Sequence, residues 1–239
     1  MRLPNIHLAL DGMQIEDAKK LIEVVGHLCA SMKIHDLYDH LGLKVVDTLK
    51  QAGAKQIWID GKFHDIPKTV GNRVSAVVGN GANIITVHAS GGIPMMEAAI
   101  NAATTQCYER VADVFAVTLL TSLSPEDIAR IYNHGDTPLD LARMAKEAGV
   151  QGIVCSPQEV GWLSRQEDLK GMRFITPGVR SPGADVGDQQ RVGTPAQAVA
   201  DGATDLVIGR EVTTAADPLA VLEKIIADIT GTTVETSGR

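Results

Sequence analysis

Short apolar runs alternate along this chain with longer amphipathic segments, and the alternation repeats about eight times. The apolar runs are rich in Val and Ile and are bounded by Gly, Asp or Asn, which is typical of buried parallel strands. The predicted strands are Ile6–Asp11, Cys29–Ile34, Gln56–Lys62, Ile84–His88, Val114–Thr118, Gly152–Cys155, Arg173–Thr176 and Leu206–Gly209.

The longer segments have helical periodicity. A helix is predicted over Glu16–His27 because its apolar residues recur at intervals of three and four. Those residues are Ala18, Leu21, Ile22 and Val25. Another helix is predicted to begin at Ser124–Asp127, where a serine cap precedes a proline and two acids. Eight strand and helix pairs in a chain of this length predict a (β/α)8 TIM barrel. A doubly wound open sheet is the alternative, but no GxGxxG follows the first strand.

Composition narrows the class of protein. The chain has 239 residues and no Pro/Ser-rich linker, so a single barrel domain over residues 1–239 is expected, with a frayed tail from about residue 231. Apolar residues make up 44% of the chain but aromatic residues only 3%, so aliphatic side chains must form the core. The formal net charge of -7 argues against a nucleic-acid partner and favours a small ligand.

Three isolated cysteines, Cys29, Cys107 and Cys155, indicate neither a disulfide framework nor a thiolate metal site. A reducing cytoplasm is therefore the expected location. The first residues show no signal-peptide pattern, and no stretch approaches the roughly 20 apolar residues that would span a bilayer, so no membrane partner is expected.

In a TIM barrel the chemistry lies at the carboxyl ends of the strands. The polar residues predicted there are Asp11, Lys33, Asp60, Lys62, His88, Thr118 and Thr121, followed by the segments 176–180 and 209–210. The loops after the last two strands commonly bind phosphate, and Gly178, Gly209 and Arg210 suit that task because glycine permits close backbone approach and a guanidinium can grip two oxygens. A phosphorylated substrate is the hypothesis. The alternative is that both segments are ordinary turns.

The segment Asp60-Gly61-Lys62-Phe63-His64-Asp65 is the strongest chemical signal. On a regular strand Asp60 and Lys62 point to the same face. Together with Lys33 and Asp65 they form two positive and two negative charges, which can all stay ionised if opposite charges alternate in space. The alternative is a structural salt-bridge network. For Asp11 a turn role and a ligand contact are equally compatible with the sequence, and His88 is given no role in proton transfer.

The sequence closely resembles the orotidine 5'-phosphate decarboxylase family. The resemblance begins with the pattern Asp60-x-Lys62-x-x-Asp65-Ile66-Pro67-x-Thr69 and continues in order through most of the chain. The further matching segments are 8–11, Lys33, 86–92, 117–122, 176–180, 187–195 and 207–210.

The resemblance implies decarboxylation of orotidine 5'-monophosphate to uridine 5'-monophosphate and CO₂, the last step of de novo pyrimidine biosynthesis, with no metal and no organic cofactor. Lys62 would protonate C6 of the pyrimidine, and Asp60 would face the substrate carboxylate. Lys33 and Asp11 would hold the ribose, and Thr121 the base. Gln189, Gly209 and Arg210 would hold the phosphate under a loop that runs from about Arg180 to Gln190, and Pro177 and Arg180 are further implied substrate contacts. The resemblance also implies a homodimer in which Asp65, Ile66 and Thr69 reach the site of the partner subunit.

Three residues depart from the family pattern. Lys68 replaces the usual Asn, His35 replaces a common Gly, and Gly61 replaces an apolar residue, the last with little expected effect on chemistry. Two other functions remain open. One is a Mg²⁺-dependent sugar-phosphate decarboxylase or aldolase of the same superfamily, for which Asp36 could serve as a further acidic ligand. The other is a non-catalytic nucleotide-phosphate binder.

Overall fold

A computed structural model of the protein describes residues 3–104, 112–132, 138–183 and 193–231. Its eight parallel strands close into a barrel in chain order, so the (β/α)8 prediction is confirmed. The last strand pairs with the first, with Ile6 opposite Leu206. The strands are β1 (Asn5–Ala9), β2 (Ser31–Ile34), β3 (Ile57–Phe63), β4 (Ile84–His88), β5 (Asp113–Val117), β6 (Gly152–Val154), β7 (Arg173–Thr176) and β8 (Asp205–Ile208).

Helices follow the strands and cover the outside of the barrel. Those in the described residues are α1 (Ile15–Val25), α2 (Asp36–Leu41), α3 (Lys44–Gln51), α4 (Pro67–Gly79), α5 (Ile93–Thr104), α6 (Pro125–Ile131), α7 (Pro138–Ala148), α8 (Pro157–Leu163), α9 (Pro195–Ala200), α10 (Arg210–Thr213) and α11 (Pro218–Thr230). The apolar face predicted for the first helix is buried, and the helix that begins at Pro125 has the predicted Ser124 cap, whose oxygen accepts from the N–H of Asp127 at 3.2 Å.

Two apolar clusters hold the fold together. The larger one lies between the strands and the helices and is mostly Val, Ile, Leu and Ala, as the composition predicts. The smaller one fills the inside of the barrel and includes Trp58, Phe115, Val117, Ile175 and Val207. Because side chains fill the interior, the barrel has a packed core and not a channel along its axis. None of the described helices is long and apolar enough to cross a membrane.

Two of the three cysteines, Cys29 and Cys155, lie in the core. Burial raises the pKa of the Cys29 thiol to about 12, so this thiol stays protonated at physiological pH. Cys107 and the predicted tail beyond residue 231 lie outside the described residues.

Candidate active site

A cleft of about 450 Å³ opens at the carboxyl ends of the strands. It is lined by residues from the ends of β1, β2, β3, β5, β6, β7 and β8 and from the segments that follow them. Many of the residues predicted from the sequence lie in it, namely Asp11, Lys33, Asp60, Lys62, Thr121, Pro177, Arg180, Gly209 and Arg210. The cleft therefore gathers residues from nearly the whole length of the sequence, because the parallel strands of a barrel end at one face.

Four charged side chains form a chain of ion pairs on one wall of this cleft. The Lys33 ammonium lies 3.0 Å from Asp11 and 3.0 Å from Asp60, and the Lys62 ammonium lies 2.8 Å from the same oxygen of Asp60. The order is thus Asp11, Lys33, Asp60, Lys62, with opposite charges in contact throughout. Opposite charges alternate as predicted. The two acids of the group within one protein chain are Asp60 and Asp11, however, whereas Asp60 and Asp65 were expected.

Asp60 and Lys33, the two buried residues among these four, both remain charged because each contacts groups of opposite charge. Burial alone would raise the pKa of Asp60, but the ammonium groups of Lys33 and Lys62 outweigh it and hold that pKa well below its usual value. Burial likewise opposes the charged form of Lys33, yet Asp60 and Asp11 raise its pKa above the usual lysine value. The two outer members are more accessible, since the side chain of Lys62 is 37% exposed and that of Asp11 is 39% exposed.

Strand β3 is not regular where it carries Asp60 and Lys62. Ile59 pairs with Ile85 and Phe63 with Val87, so the three residues 60–62 lie opposite one residue of β4. Lys62 has a φ of 41°, in the left-handed region that costs a non-glycine residue about 1–2 kcal/mol. Asp60 and Lys62 do meet on one side of the strand, as predicted. They are brought together by a bulge and a left-handed backbone conformation, however, and not by the regular alternation of a strand.

Gly61 is required by the packing of this bulge. A β-carbon at residue 61 would lie 2.2 Å from Cε1 of Phe63, whose side chain is fully buried. The ring would have to move before any larger residue could be accommodated. The expectation that Gly61 has little effect on chemistry stays a prediction, and the packing supplies a structural reason for glycine at this position.

A second charged group lies beside Asp11. His35 Nε2 is 3.5 Å from Asp11, His35 Nδ1 is 3.2 Å from Asp36, and the backbone N–H of Gly12 donates to Asp36 at 2.9 Å. One ligand atom from each of the three side chains lies within 4.8 Å of the others. Within the described part of the chain this is the group with the spacing to hold a metal ion, and it includes the Asp36 that a metal-dependent enzyme would need.

The part of the cleft lining that follows β7 and β8 carries two arginines. Pro177, Gly178 and Arg180 follow β7, and Gly209 and Arg210 follow β8, so the two segments predicted to bind phosphate line the same cleft. The first segment is anchored by its backbone. The N–H of Arg180 donates to the carbonyl of Gly193 at 2.9 Å, and the N–H of the next residue donates to a carboxylate oxygen of Glu211 at 3.1 Å.

The floor of the cleft was not predicted from the sequence. It includes Trp58, Val117, Val154 and Val207, whose side chains belong to the cluster inside the barrel. Trp58 is fixed by a hydrogen bond from its indole N–H to Thr86 at 2.6 Å. Their positions in the sequence could have indicated Trp58 and Val207, because each lies two residues before a predicted site residue, Asp60 or Gly209, at the end of a strand. Further lining residues that were not predicted are Ala9, Leu120, Ser122 and Thr213.

His88, at the end of β4, is neutral at physiological pH. Burial and the nearby charges of His64 and Lys62 together outweigh the opposing effect of Asp60 and lower the pKa of His88 to about 4. Its ring lies 5.5 Å from the ring of His64, centroid to centroid.

Comparison with known proteins identifies the family. The sequence model of the Orotidine 5'-phosphate decarboxylase / HUMPS family matches residues 4–225. The chain belongs to this family. It is 37% identical over 234 residues to an orotidine 5'-phosphate decarboxylase of Idiomarina loihiensis, covering 96% of this chain and 99% of that protein. It is 40% identical over 228 residues to one of Thermobifida fusca, covering 94% and 95% of the two chains.

A solved structure of the family has the same fold. The crystal structure of orotidine 5'-phosphate decarboxylase from Lactobacillus acidophilus matches with a TM-score of 0.78 and 32% sequence identity, over 95% of this chain and 99% of that chain. The resemblance noted from motifs is therefore confirmed over nearly the full length of the chain.

Three described residues expected from the family pattern, Asp65, Ile66 and Thr69, do not line the cleft within one chain, and a fourth expected residue cannot be placed. Asp65 and Ile66 are exposed and Thr69 is half-exposed, just beyond β3 and at the start of α4. The carboxylate of Asp65 accepts from the N–H of Ile66 at 2.7 Å. The fourth residue, Gln189, lies outside the described residues.

Proposed function

We propose that this chain converts orotidine 5'-monophosphate to uridine 5'-monophosphate and CO₂, the last step of de novo pyrimidine biosynthesis, without a metal or an organic cofactor. The observation that carries the proposal is the position of Lys62. Its ammonium is paired with Asp60 in a cleft that is also lined by Arg180 and Arg210. Such a cleft can bind a phosphorylated nucleotide and present an acid to its base.

The reaction breaks the bond between C6 of the pyrimidine and its carboxylate carbon. The bonding electron pair stays on C6, CO₂ leaves, and the Lys62 ammonium gives its proton to C6. Since no cofactor takes up the electrons, a cation fixed beside C6 must lower the barrier. Asp60 keeps Lys62 in place, and Lys33 prevents Asp60 from taking the proton, because both ammonium groups stabilise the ionised carboxylate.

Binding energy from the phosphate and the ribose would orient the base. Arg180 and Arg210, with Pro177, Gly209 and Gln189, are proposed to hold the phosphate, where guanidinium groups form paired hydrogen bonds with oxygens. Remote binding of this kind can be used to order the reacting carbon.

The ribose and the base are proposed to contact other residues that line the cleft. Lys33 and Asp11 are proposed to contact the ribose hydroxyls, and Thr121 the base. The apolar floor formed by Trp58 and its neighbours would exclude water beneath the ring.

We propose further that the active unit is a homodimer with shared sites, in which Asp65, Ile66 and Thr69 complete the cleft of the partner subunit. Ile66 supports this because it is a large apolar residue with 66% of its surface exposed. Beside it a groove runs between α4 and α5, lined by Pro67, Lys68, Gly71, Asn72, Ser75, Ala98, Asn101 and Ala102.

A cytoplasmic location and a single domain over residues 1–239 are also proposed. The location is supported by Cys29, which is a buried thiol outside any disulfide, as is usual in a reducing compartment. The single domain is supported by the closed barrel, whose first and last strands pair with each other.

A metal-dependent reaction on a sugar phosphate is the second candidate, and the Asp11, His35 and Asp36 group is the observation that favours it. One contact argues against it. The Lys33 ammonium lies 3.0 Å from both carboxylate oxygens of Asp11, so a divalent cation would have to compete with a cation that is already bound.

One assay separates these functions. Orotidine 5'-monophosphate is added to the protein, and its ultraviolet absorbance is followed with and without a chelator. We expect loss of substrate at equal rates in both samples. Sensitivity to the chelator would instead favour the metal-dependent enzyme, and binding without any absorbance change would show a nucleotide binder that performs no decarboxylation.

A further inference from the structure

The backbone conformation of Lys62 is unusual among the described residues. Among those residues it is the one non-glycine residue with a positive φ, and the other positive values all belong to glycines. A residue keeps such a conformation only where its surroundings enforce it. The proposed proton donor therefore needs a structural feature that holds its backbone, and the ion pair with Asp60 acts on the side chain only.

The bulge that contains Lys62 is held at both of its ends. Before it, Ile59 is paired with Ile85, and after it, Phe63 is paired with Val87. The position of Phe63 thus decides where the bulge ends and how its three residues are compressed against one residue of β4. Any shift of Phe63 would be transmitted directly to its neighbour Lys62.

The Phe63 ring has two contacts that fix it. It lies so close to Gly61 that a β-carbon there would be 2.2 Å from Cε1 and 2.9 Å from two other ring carbons. On α4, the guanidinium of Arg73 lies 4.0 Å from the ring centroid, which is cation-π geometry. The ring is fully buried although Arg73 itself is exposed. The bulge is thereby connected to the helix that follows it.

We infer that Phe63 is a positioning residue for the reaction, acting through the backbone of Lys62 and supported by Gly61 and Arg73. The inference rests on the proposed function of Lys62 as proton donor. The ring holds the bulge closed, the closed bulge imposes the left-handed conformation, and that conformation directs the ammonium to Asp60 and into the cleft. None of these three residues lines the cleft, so they act without touching substrate.

A purely structural role for Phe63 makes a different prediction. A buried phenylalanine that only fills space contributes to stability, and its truncation lowers stability without changing the rate of the folded enzyme. Phe174 on β7 is such a residue, since it is buried and does not line the cleft. Phe174→Leu is therefore the matched control for Phe63→Leu.

The test measures kcat, KM and the dissociation constant of uridine 5'-monophosphate for both variants, together with their thermal midpoints. For Phe63→Leu we expect kcat to fall about 10- to 100-fold, since a displacement of about 1 Å can cost 100-fold, with nucleotide affinity within about threefold of wild type. For Phe174→Leu we expect a similar loss of thermal stability and a kcat within about twofold of wild type. Equal kcat values for the two folded variants would overturn the inference.

Arg73→Met tests the same inference without touching the core. The change removes the cation at an exposed position, and we expect kcat to fall about threefold at unchanged KM. If Phe63→Leu does not fold, an unchanged kcat in Arg73→Met overturns the inference. The proposed function fails separately: decarboxylation that survives in Lys62→Ala refutes the proton donor, whereas an active wild type with no effect of Phe63→Leu refutes only the positioning role.

Discussion

Nε2 of His7 lies 2.8 Å from Oδ1 of Asp205, and both side chains are almost completely buried at the end of the barrel opposite to the cleft. The same carboxylate accepts from the Asn5 amide at 3.0 Å and from the Thr204 hydroxyl at 2.6 Å, and it forms an ion pair with Arg173. One carboxylate therefore satisfies donors from β1, from β7 and from the residue before β8. These contacts hold the strands together at the end of the barrel that lies opposite to the cleft.

Removing that carboxylate should destabilise the protein strongly. Asp205→Ala leaves the buried His7 without one of its hydrogen-bond partners and removes one of the two carboxylates that pair with Arg173, the other being Asp113, so we expect the free energy of unfolding to fall by about 3–5 kcal/mol. Urea or thermal unfolding measures the loss. Asp168→Ala is the control, because Asp168 pairs with Arg143 on the exposed surface, and its unfolding should match that of wild type. Equal stability of the two variants would contradict the proposed role of Asp205.

The same residue predicts how stability depends on pH. Burial alone would raise the pKa of Asp205, but hydrogen bonds from His7 and Arg173 and the charge of Arg173 hold it well below its usual value. In the unfolded chain Asp205 therefore binds a proton at a higher pH than in the folded protein. Its contribution to stability is complete above about pH 5 and declines progressively as the pH falls below about 4.

The measurement is the unfolding midpoint between about pH 7 and about pH 3, in wild type and in Asp205→Asn. The wild type should lose stability on acidification more steeply than the variant, because the amide that replaces the carboxylate does not titrate. Parallel pH curves for the two proteins would show that another carboxylate, such as the strongly paired Asp60, dominates acid unfolding.

Lys62→Ala should abolish turnover while leaving the fold and the nucleotide affinity largely intact. The ammonium is both the proposed proton donor and the cation beside C6, so kcat should fall by a factor of about 10⁴ or more. Binding of uridine 5'-monophosphate, measured by titration, checks that the cleft survives. Lys44→Ala, on α3 and away from the cleft lining, is the control. Decarboxylation within about tenfold of wild type would refute the role of Lys62.

Arg210→Ala should act on binding more than on chemistry. A guanidinium that grips phosphate contributes through hydrogen bonds to a charged group, so its loss should raise KM about 10- to 100-fold. Arg143→Ala, which removes an arginine outside the cleft, should leave KM unchanged. An unchanged KM in Arg210→Ala would place the phosphate elsewhere.

The barrel was predictable from the sequence because its signals are local. Eight β-branched runs and amphipathic helices repeat along the chain, and the rule that parallel strands end at one face then gathers Asp11, Lys33, Asp60 and Arg210 into one cleft. What could not be predicted depends on three-dimensional packing. The bulge at Lys62 requires knowledge of the β3 and β4 register, and the requirement for Gly61 appears only when the Phe63 ring is in place. The apolar floor was missed because Trp58 and Val207 look like ordinary core residues in the sequence.

If the active site is shared between two subunits, mixing two inactive variants should restore part of the activity. In a two-fold dimer, mixing Lys62→Ala chains with Asp65→Ala chains gives heterodimers in which one site has both native residues, because Asp65 comes from the neighbouring subunit. Random pairing of equal amounts should restore about a quarter of wild-type activity, since half of the dimers then carry one intact site. Activity after co-refolding measures the recovery.

The control for this mixture places both changes in the same cleft. Asp60 and Lys62 are in contact within one chain, so a heterodimer of Asp60→Ala and Lys62→Ala chains has a defect in each of its sites. That mixture should remain inactive, whereas the Asp65 mixture recovers. If proven heterodimers of the Asp65 and Lys62 variants also stay inactive, Asp65 does not serve the neighbouring site, and its exposed position beyond β3 needs another explanation.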